Sequence, residues 1–192
     1  LGGMFKGEYP DRVLEGLEPH LPENWHYDFP TITAPVDWCG INYYTRTLLS
    51  GSDGPWPHYT QSKGDLPQTA MGWEIYPDGL TDFLIRTKNE YTGDLPIYVT
   101  ENGLAAHDTL AADGTISDPD RLAFIQAHLS AVKKAIAADV PVDGYFLWSL
   151  LDNYEWAFGY KERFGAIHVD FDTLTRTPKS TYYALQSAFG RA

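Results

Sequence analysis

The chain has 192 residues, with 14 Lys and Arg against 26 Asp and Glu, so its formal net charge is −12. This balance argues against nucleic acid and against an anionic membrane surface as partners. The length fits one domain or one piece of a larger one, and a hydrophobic share of 43% argues against disorder. The single cysteine, Cys39, excludes an intrachain disulfide and is expected to be a small buried hydrophobe.

The beginning of the chain resembles an ordinary loop of a longer protein. Residues 1–7 lack a basic stretch followed by an apolar one, so no signal peptide is predicted. No segment reaches the roughly 18 apolar residues of a membrane helix. We expect a cytoplasmic location, with which a lone reduced cysteine is compatible.

The first half of the chain alternates strands and helices. A short helix is predicted over Pro10–Leu17 and a buried strand over Asp37–Thr45. Residues 51–68 hold six glycines and prolines and predict a long loop. A helix is expected over Gly79–Tyr91, followed by a short strand over Ile97–Thr100. The helix side chains expected to face inward are Leu80, Phe83, Leu84 and Thr87.

The second half continues the alternation. Asp118 is a favourable N-cap and Pro119 suits a first helical turn, so a helix is predicted to begin there. Its apolar stripe comprises Leu122, Ile125, Leu129, Val132 and Ile136. Val142–Leu150 is apolar throughout and predicts a strand covered on both faces. A last helix is expected over Lys179–Ala192, with one face formed by Tyr182, Tyr183, Leu185, Ala188 and Phe189.

This order of elements predicts parallel β/α units. Three strands cannot close a barrel by themselves, and the pattern alone leaves an open sheet possible. In either fold, reactive groups collect where parallel strands end.

Polar and aromatic side chains follow all three predicted strands. Asn42 and Tyr44 follow the first, Glu101 the second, and Trp148 and Glu155 the third. A carboxylate surrounded by amide, phenol and indole groups suits sugar chemistry. Alone, a glutamate after a strand is usually a solvated loop residue, and a tryptophan there usually belongs to the core. Their occurrence together at the ends of three successive strands favours a functional site over these structural roles.

Other chemistries lack their motifs. The six histidines show no paired spacing for a metal, so no metal site is predicted. The sequence has no glycine-rich phosphate loop, so no cofactor is expected, and it has no Gly-x-Ser-x-Gly motif of a serine hydrolase.

Several segments resemble glycoside hydrolase family 1, the β-glucosidases and their relatives, in family order and over nearly the whole chain. The matching segments are residues 37–44 (DWCGINYY), 71–80 (MGWEIYPDGL), 97–103 (IYVTENG), 144–165 (GYFLWSLLDNYEWAFGYKERFG), 168–171 (HVDF) and 176–179 (RTPK).

The resemblance implies an α/β fold, namely the C-terminal portion, about strands 6–8, of a TIM (β/α)8 barrel. Such barrels run to about 250 residues, so residues 1–192 are expected to be part of one glycosidase domain, completed by a missing N-terminal polypeptide. The family's acid/base carboxylate lies in a Thr-x-Asn-Glu-Pro segment that this sequence lacks. We expect the N-terminal half of the same enzyme, which would carry this segment, to be a second chain and the partner of this one.

The resemblance also assigns roles for retaining hydrolysis of β-glycosides. Glu101 would be the nucleophile that forms a glycosyl-enzyme, and Tyr44 the phenol that hydrogen-bonds it. The residues expected to bind substrate are Asn42, Trp73, Trp148, Glu155, Trp156 and Phe164. Members acting on 6-phosphosugars carry Ser in place of Glu155, so unphosphorylated β-glucosides or related oligosaccharides are the expected substrates.

Two other interpretations remain open at this point. The chain could be a catalytically inactive barrel fragment, or a carbohydrate-binding module. Unpaired strand edges disfavour a fragment standing alone, because they invite aggregation. A binding module would not need Glu101 at a strand end opposite Tyr44. Without a general acid, this chain alone is predicted to be inactive.

Overall fold

The structure is a computed structural model and describes residues 1–190. The α-helices are α1 (Gly2–Lys6), α2 (Asp11–Leu17), α3 (Phe29–Ile32), α4 (Pro77–Thr87), α5 (Pro119–Ala137) and α6 (Ser180–Phe189). The strands are β1 (Cys39–Asn42), β2 (Leu48–Gly51), β3 (Tyr59–Ser62), β4 (Ile97–Asn102), β5 (Val142–Leu147), β6 (Ile167–Val169) and β7 (Arg176–Pro178). Short 3₁₀ segments cover Glu18–His20, Trp25–Asp28 and Trp156–Phe158, and a π-turn covers Lys88–Thr92.

A three-stranded parallel sheet in the order β1-β4-β5 positions the site. Ile97 pairs with Cys39 on one side and with Val142 on the other. Helix α4 connects β1 to β4, and α5 connects β4 to β5. The predicted parallel β/α alternation is therefore confirmed. Cys39 lies in the core and is 5% exposed, as expected for a small hydrophobe.

The long loop predicted over residues 51–68 is partly wrong. It contains most of an antiparallel hairpin, in which β2 pairs with β3 and Leu48 lies opposite Ser62. The prediction of a loop rested on the glycines and prolines of this segment. The two strands are short and mostly exposed. An exposed strand has no alternation of apolar and polar residues by which to recognise it.

The main core lies between the sheet and helices α4 and α5, around Leu80, Leu84, Val99 and Ala135. Leu80, Leu84 and Thr87 are buried as predicted, but Phe83 is 39% exposed. At 3.6 residues per turn, Phe83 lies about 60° from Leu80, on the side away from Leu84. It therefore falls at the edge of the buried face rather than within it.

The predicted stripe of α5 also needs correction. Ile125 and Val132 are buried, whereas Ile136 is 48% exposed. The remaining buried positions of this helix are Arg121, Phe124, His128, Ala131 and Ala135. Polar residues with internal partners and small alanines form much of this face. A prediction from hydrophobicity alone therefore included the exposed Ile136 and missed the buried polar and alanine positions.

The sheet presents an open apolar face. Trp38, Tyr98, Thr100 and Phe146 line a depression of about 380 Å³, and Phe146 is 56% exposed. The expectation that Val142–Leu150 is covered on both faces is therefore wrong for the described residues. Nothing among residues 1–190 packs over this face.

The last helix is shorter than predicted. It spans Ser180–Phe189, with Tyr183 57% and Phe189 69% exposed, so these two rings do not form a buried face. The expected end at Ala192 lies outside the described residues. Within them, no helix combines the length and apolar character needed to span a bilayer.

Candidate functional site

The site begins at the carboxyl ends of β1 and β4. Asn42 pairs with Glu101 across the two strands, and the backbone N–H of Tyr43 donates to the carbonyl of Glu101 at 2.9 Å. These contacts fix the end of β4 beside the segment that follows β1. The Tyr44 hydroxyl then donates to Glu101 Oε2 at 2.7 Å. The contact expected between phenol and carboxylate is present, while the roles of both groups remain predictions.

Tyr44 is held as a neutral donor. Burial raises the pKa of its phenol well above the ordinary value, and its hydrogen bond to the Glu101 carboxylate raises it further. The ring packs at 5.5 Å from Trp73 and 6.2 Å from Phe164, measured between centroids. The hydroxyl is therefore directed at Glu101 by a fixed ring.

Asn102, next to Glu101, is a residue that sequence reasoning missed. It is fully buried, donates from Nδ2 to the Tyr43 carbonyl at 2.6 Å and accepts at Oδ1 from the Tyr145 hydroxyl at 2.7 Å. One amide thus joins the ends of all three parallel strands. Its place in the Thr-Glu-Asn-Gly segment was the only signal in the sequence.

Gly103 allows β4 to pass close to the end of β5. A Cβ at this position would overlap the carbonyl oxygen of Trp148. The Trp148 backbone N–H also donates to the Asn102 carbonyl at 3.0 Å. Any larger residue than glycine would therefore separate Trp148 from the end of β4 that carries Glu101.

Glu155 faces the same space as Glu101. Burial raises the pKa of its carboxyl, a hydrogen bond with Trp148 opposes that shift, and the charges of Glu101 and Glu162 add to it. Its Oε2 is buried without a hydrogen-bond partner within the described residues. A buried acceptor without a donor costs free energy, so this oxygen is suited to a hydroxyl donor from a ligand.

The other residues predicted to bind substrate differ in their exposure and in their distance from Glu101 and Tyr44. Asn42 is exposed and accepts a hydrogen bond from Thr100 Oγ1 at 2.7 Å. Phe164 is 1% exposed and lies 6.3 Å from Trp73, so it supports the aromatic cluster from behind rather than offering surface to a sugar. Trp156 is 79% exposed. The structure therefore brings Glu101, Tyr44 and Trp73 together but leaves Trp156 apart.

An ion-pair network holds the loop that carries Glu155, and no sequence pattern predicted it. Asp152 Oδ1 accepts from the backbone N–H of Gly165 and from Lys179 Nζ, both at 2.9 Å, and Oδ2 accepts from Arg163 Nη1 at 3.2 Å. Lys179 also contacts Asp108. Because Asp152 and Gly165 flank residues 153–164, the network closes the base of that loop.

Part of this network has the composition of a metal site. Ligand atoms of Asp108, Asp152 and His168 lie within 4.8 Å of one another. The ammonium of Lys179 is paired with both carboxylates and supplies the positive charge there. Burial and the Arg163 charge lower the pKa of His168. We therefore interpret the group as structural ion pairs.

Comparison with known proteins places the chain among glycosidases. Residues 1–190 match the profile of glycosyl hydrolase family 1. β-Glucosidase A of Thermotoga maritima is 42% identical over 183 residues, covering 95% of this chain and 41% of the relative. A 6-phospho-β-galactosidase of Streptococcus equi subsp. zooepidemicus is 36% identical over 214 residues, covering 97% of this chain and 45% of the relative.

Solved structures agree with the sequence comparison. A family 1 β-glucosidase from Thermotoga maritima superposes with a TM-score of 0.93 at 40% identity, covering 98% of this chain and 42% of that chain. The chain thus spans less than half the length of the relatives it matches, and its three β/α units form part of a (β/α)8 barrel, as predicted. By the match over residues 1–190 and by this superposition, the chain belongs to glycosyl hydrolase family 1.

Proposed function

We propose that this chain forms the nucleophile-bearing part of a retaining β-glycosidase acting on unphosphorylated β-glucosides. The observation that carries the proposal is the 2.7 Å hydrogen bond from the Tyr44 hydroxyl to Glu101 at the ends of adjacent parallel strands. Retaining hydrolysis needs a carboxylate that attacks the anomeric carbon and forms a glycosyl-enzyme. Glu101 is the carboxylate held for that attack.

The second carboxyl group of the reaction comes from outside this chain. A retaining glycosidase protonates the leaving group with an acid whose carboxyl lies about 5–5.5 Å from the nucleophile. The Thr-x-Asn-Glu-Pro segment that carries it in the family is absent from these 192 residues. The polypeptide that completes the barrel therefore supplies the acid, and this chain alone is inactive.

The open sheet face supports such a partner. The outer strands β1 and β5 have unpaired edges within the described sheet, and Trp38 and Phe146 are half exposed on its face. The N-terminal half of the same enzyme, as a second chain, would pair those edges and cover those rings.

Glu155 supports the choice of an unphosphorylated sugar. Its carboxylate would repel a phosphate dianion at the same position, and its unpartnered oxygen accepts a sugar hydroxyl. The similarity of a 6-phospho-β-galactosidase shows that sequence identity alone does not decide this point. Equal turnover of a β-glucoside and its 6-phosphate by the assembled enzyme would contradict the assignment.

The nucleophile is tested by Glu101→Gln in the chain assembled with its complementing polypeptide. We expect turnover of nitrophenyl β-glucoside to fall by at least about 10³-fold, because the amide cannot form the glycosyl-enzyme, while sugar affinity changes little. The matched control is Glu23→Gln, which alters an exposed carboxyl in the segment before β1 and should leave turnover unchanged.

Each result has a definite meaning. Full activity of the Glu101→Gln variant would reject Glu101 as nucleophile. Turnover by the purified chain without any partner would reject the external acid. Sugar binding by an assembly that never turns over would favour an inactive carbohydrate-binding fragment.

A further inference from the structure

Strand β4 contains an extra residue at the point where it reaches the candidate site. Val99 and Glu101 pair with consecutive residues of β1, so Thr100 between them has no partner on that side. On the other side, Val99 and Asn102 pair with residues of β5 that are only two positions apart. Relative to both neighbours, β4 is therefore one residue longer over residues 99–102, which we call the β4 bulge. Such a bulge redirects the side chains that follow it.

The burial of side chains along β4 reverses at the bulge. Val99 is fully buried in the main core, and Thr100 lines the open face of the sheet. Strict alternation would next place Glu101 in the core and Asn102 on the open face. Instead Asn102 is fully buried, and Glu101 is half-buried with its carboxylate bonded to the Tyr44 hydroxyl. The extra residue therefore exchanges the two positions and brings the carboxylate out of the core.

The side chain of Asn102 is held in one orientation at its buried position. The Tyr145 hydroxyl donates to Oδ1 at 2.7 Å, and Nδ2 donates to the Tyr43 carbonyl at 2.6 Å. Because a backbone carbonyl only accepts hydrogen bonds, Nδ2 has to face Tyr43 and Oδ1 has to face Tyr145. Burial raises the pKa of the Tyr145 phenol far above its ordinary value, so its hydroxyl keeps the proton that it donates.

The same amide also fixes the backbone that carries Tyr44. The Tyr43 carbonyl belongs to the peptide unit that joins Tyr43 to Tyr44, and it accepts from Asn102 Nδ2. The Tyr43 N–H donates to the Glu101 carbonyl at 2.9 Å. Both backbone polar groups of Tyr43 are thus bound by consecutive residues of β4. The point from which Tyr44 reaches the Glu101 carboxylate is therefore set by Asn102 together with the backbone of β4.

We propose that Asn102, oriented by Tyr145, is a positioning residue for the reaction. It anchors the β4 bulge, and in this way it directs Glu101 out of the core and aligns Tyr44 with it. Asn102 acts only through these two residues, because its own side chain is fully buried and paired within the sheet. The inference rests on the proposed function, since it takes Glu101 as the attacking carboxylate.

The first test is Tyr145→Phe in the chain assembled with its complementing polypeptide. The change removes the hydroxyl that orients Asn102 and keeps the ring against the main core. We expect kcat for nitrophenyl β-glucoside to fall by about tenfold and KM to stay within about twofold, because a misdirected carboxylate slows attack more than binding. Tyr182→Phe, which removes a half-buried hydroxyl on α6, is the matched control and should behave as wild type.

A second variant, Asn102→Asp, keeps the shape of the side chain but replaces the Nδ2 donor to Tyr43 with an acceptor. Its kcat should fall by about 10²-fold, as expected when a reacting group is displaced. Asn89→Asp, which changes an exposed amide in the π-turn, is its control and should keep the wild-type kcat. Circular dichroism shows whether each variant folds, and Tyr145→Phe carries the test if Asn102→Asp does not.

A double-mutant cycle distinguishes positioning from a purely structural tie between strands. In a Tyr44→Phe background the contact that Asn102 aligns is already lost, so the tenfold effect of Tyr145→Phe should shrink to less than about threefold. A structural tie would lower kcat by the same factor in both backgrounds. The inference is overturned by that result, by a loss that appears in KM alone, or by a wild-type kcat in both folded variants.

Hydrogen exchange at the Tyr43 amide gives a readout that needs no turnover. Exchange there should be faster in Tyr145→Phe than in Tyr182→Phe, because the Tyr43 N–H is bonded to the Glu101 carbonyl beside the anchored amide. Faster exchange in an assembly that never turns over supports the anchoring and rejects the proposed function. An assembly that turns over at the wild-type rate in both Tyr145→Phe and Asn102→Asp rejects the positioning role and leaves the proposed function intact.

Discussion

At the scale of single residues, the hydrogen bond from the Tyr44 hydroxyl to Glu101 is the contact on which the proposed chemistry depends. A hydrogen bond to a charged group contributes about 1.5–3 kcal/mol. Here the donor is a phenol whose ionisation is suppressed by burial, so it keeps its proton across the working pH range. It orients Oε2 of Glu101, and Oε1 is the oxygen that would attack in the proposed reaction.

Tyr44→Phe removes this donor and keeps the ring between Trp73 and Phe164. We expect kcat of the assembled enzyme to fall by about 10- to 100-fold, with the fold unchanged, because the lost hydrogen bond orients Glu101, the proposed nucleophile. Steady-state kinetics measure this. Tyr183→Phe, which removes an exposed hydroxyl on α6, is the control, and an equal loss in both variants would contradict the role of Tyr44.

At the scale of elements, the loop of residues 153–164 depends on the carboxylate at its base. Asp152 is buried and receives two cationic side chains and two backbone N–H groups, from Gly165 and Val169. Breaking a buried ion pair by removing one partner costs about 3–5 kcal/mol, because the other charge is left without compensation. The position of Glu155 therefore depends on a buried residue that is not among the proposed substrate contacts.

Asp152→Asn should lower the free energy of unfolding by about 3 kcal/mol, because Lys179 and Arg163 lose their shared counter-charge. Urea denaturation measures this, and hydrogen exchange should become faster in residues 153–165 before it does so in β4. Asp53→Asn on the exposed hairpin turn should change stability by less than about 0.5 kcal/mol. Equal stability of the two variants would reject the network as the support of the loop.

At the scale of the whole molecule, the open sheet governs behaviour in solution. The edges of β1 and β5 and the face around Trp38 and Phe146 are available for pairing with other chains. We expect the purified chain to self-associate at increasing concentration, eluting above 21.6 kDa in gel filtration. A monomer at all concentrations would contradict this expectation.

The double variant Trp38→Lys/Phe146→Lys should shift this equilibrium towards the monomer, because charges on the face oppose its burial. It should also weaken assembly with the complementing polypeptide. Phe158→Lys, on an exposed loop ring outside the sheet, is the control and should leave both equilibria unchanged. Analytical ultracentrifugation distinguishes the two variants.

The sequence by itself determined the alternation of strands and helices, because apolar strands and the capped helix after Asp118 depend on local periodicity. It also determined the family and the strand ends that hold Glu101 and Tyr44, because short motifs there are contiguous in the chain. The sequence did not predict the whole buried face of α5. Arg121 belongs to that face because Asp108 and Asp118 neutralise its charge, and the contact with Asp108 comes from outside the helix.

Only the tertiary structure decided how the site is held and what adjoins it. Asn102 joins three strands, and Lys179 meets Asp152 across 27 positions of sequence, so neither contact has a local pattern. Glu74 binds Arg46, 28 positions away, and this contact links the segment before β2 to the turn that carries Trp73. Periodicity reports which face of an element is apolar, whereas packing between distant segments decides which polar groups are left for a ligand.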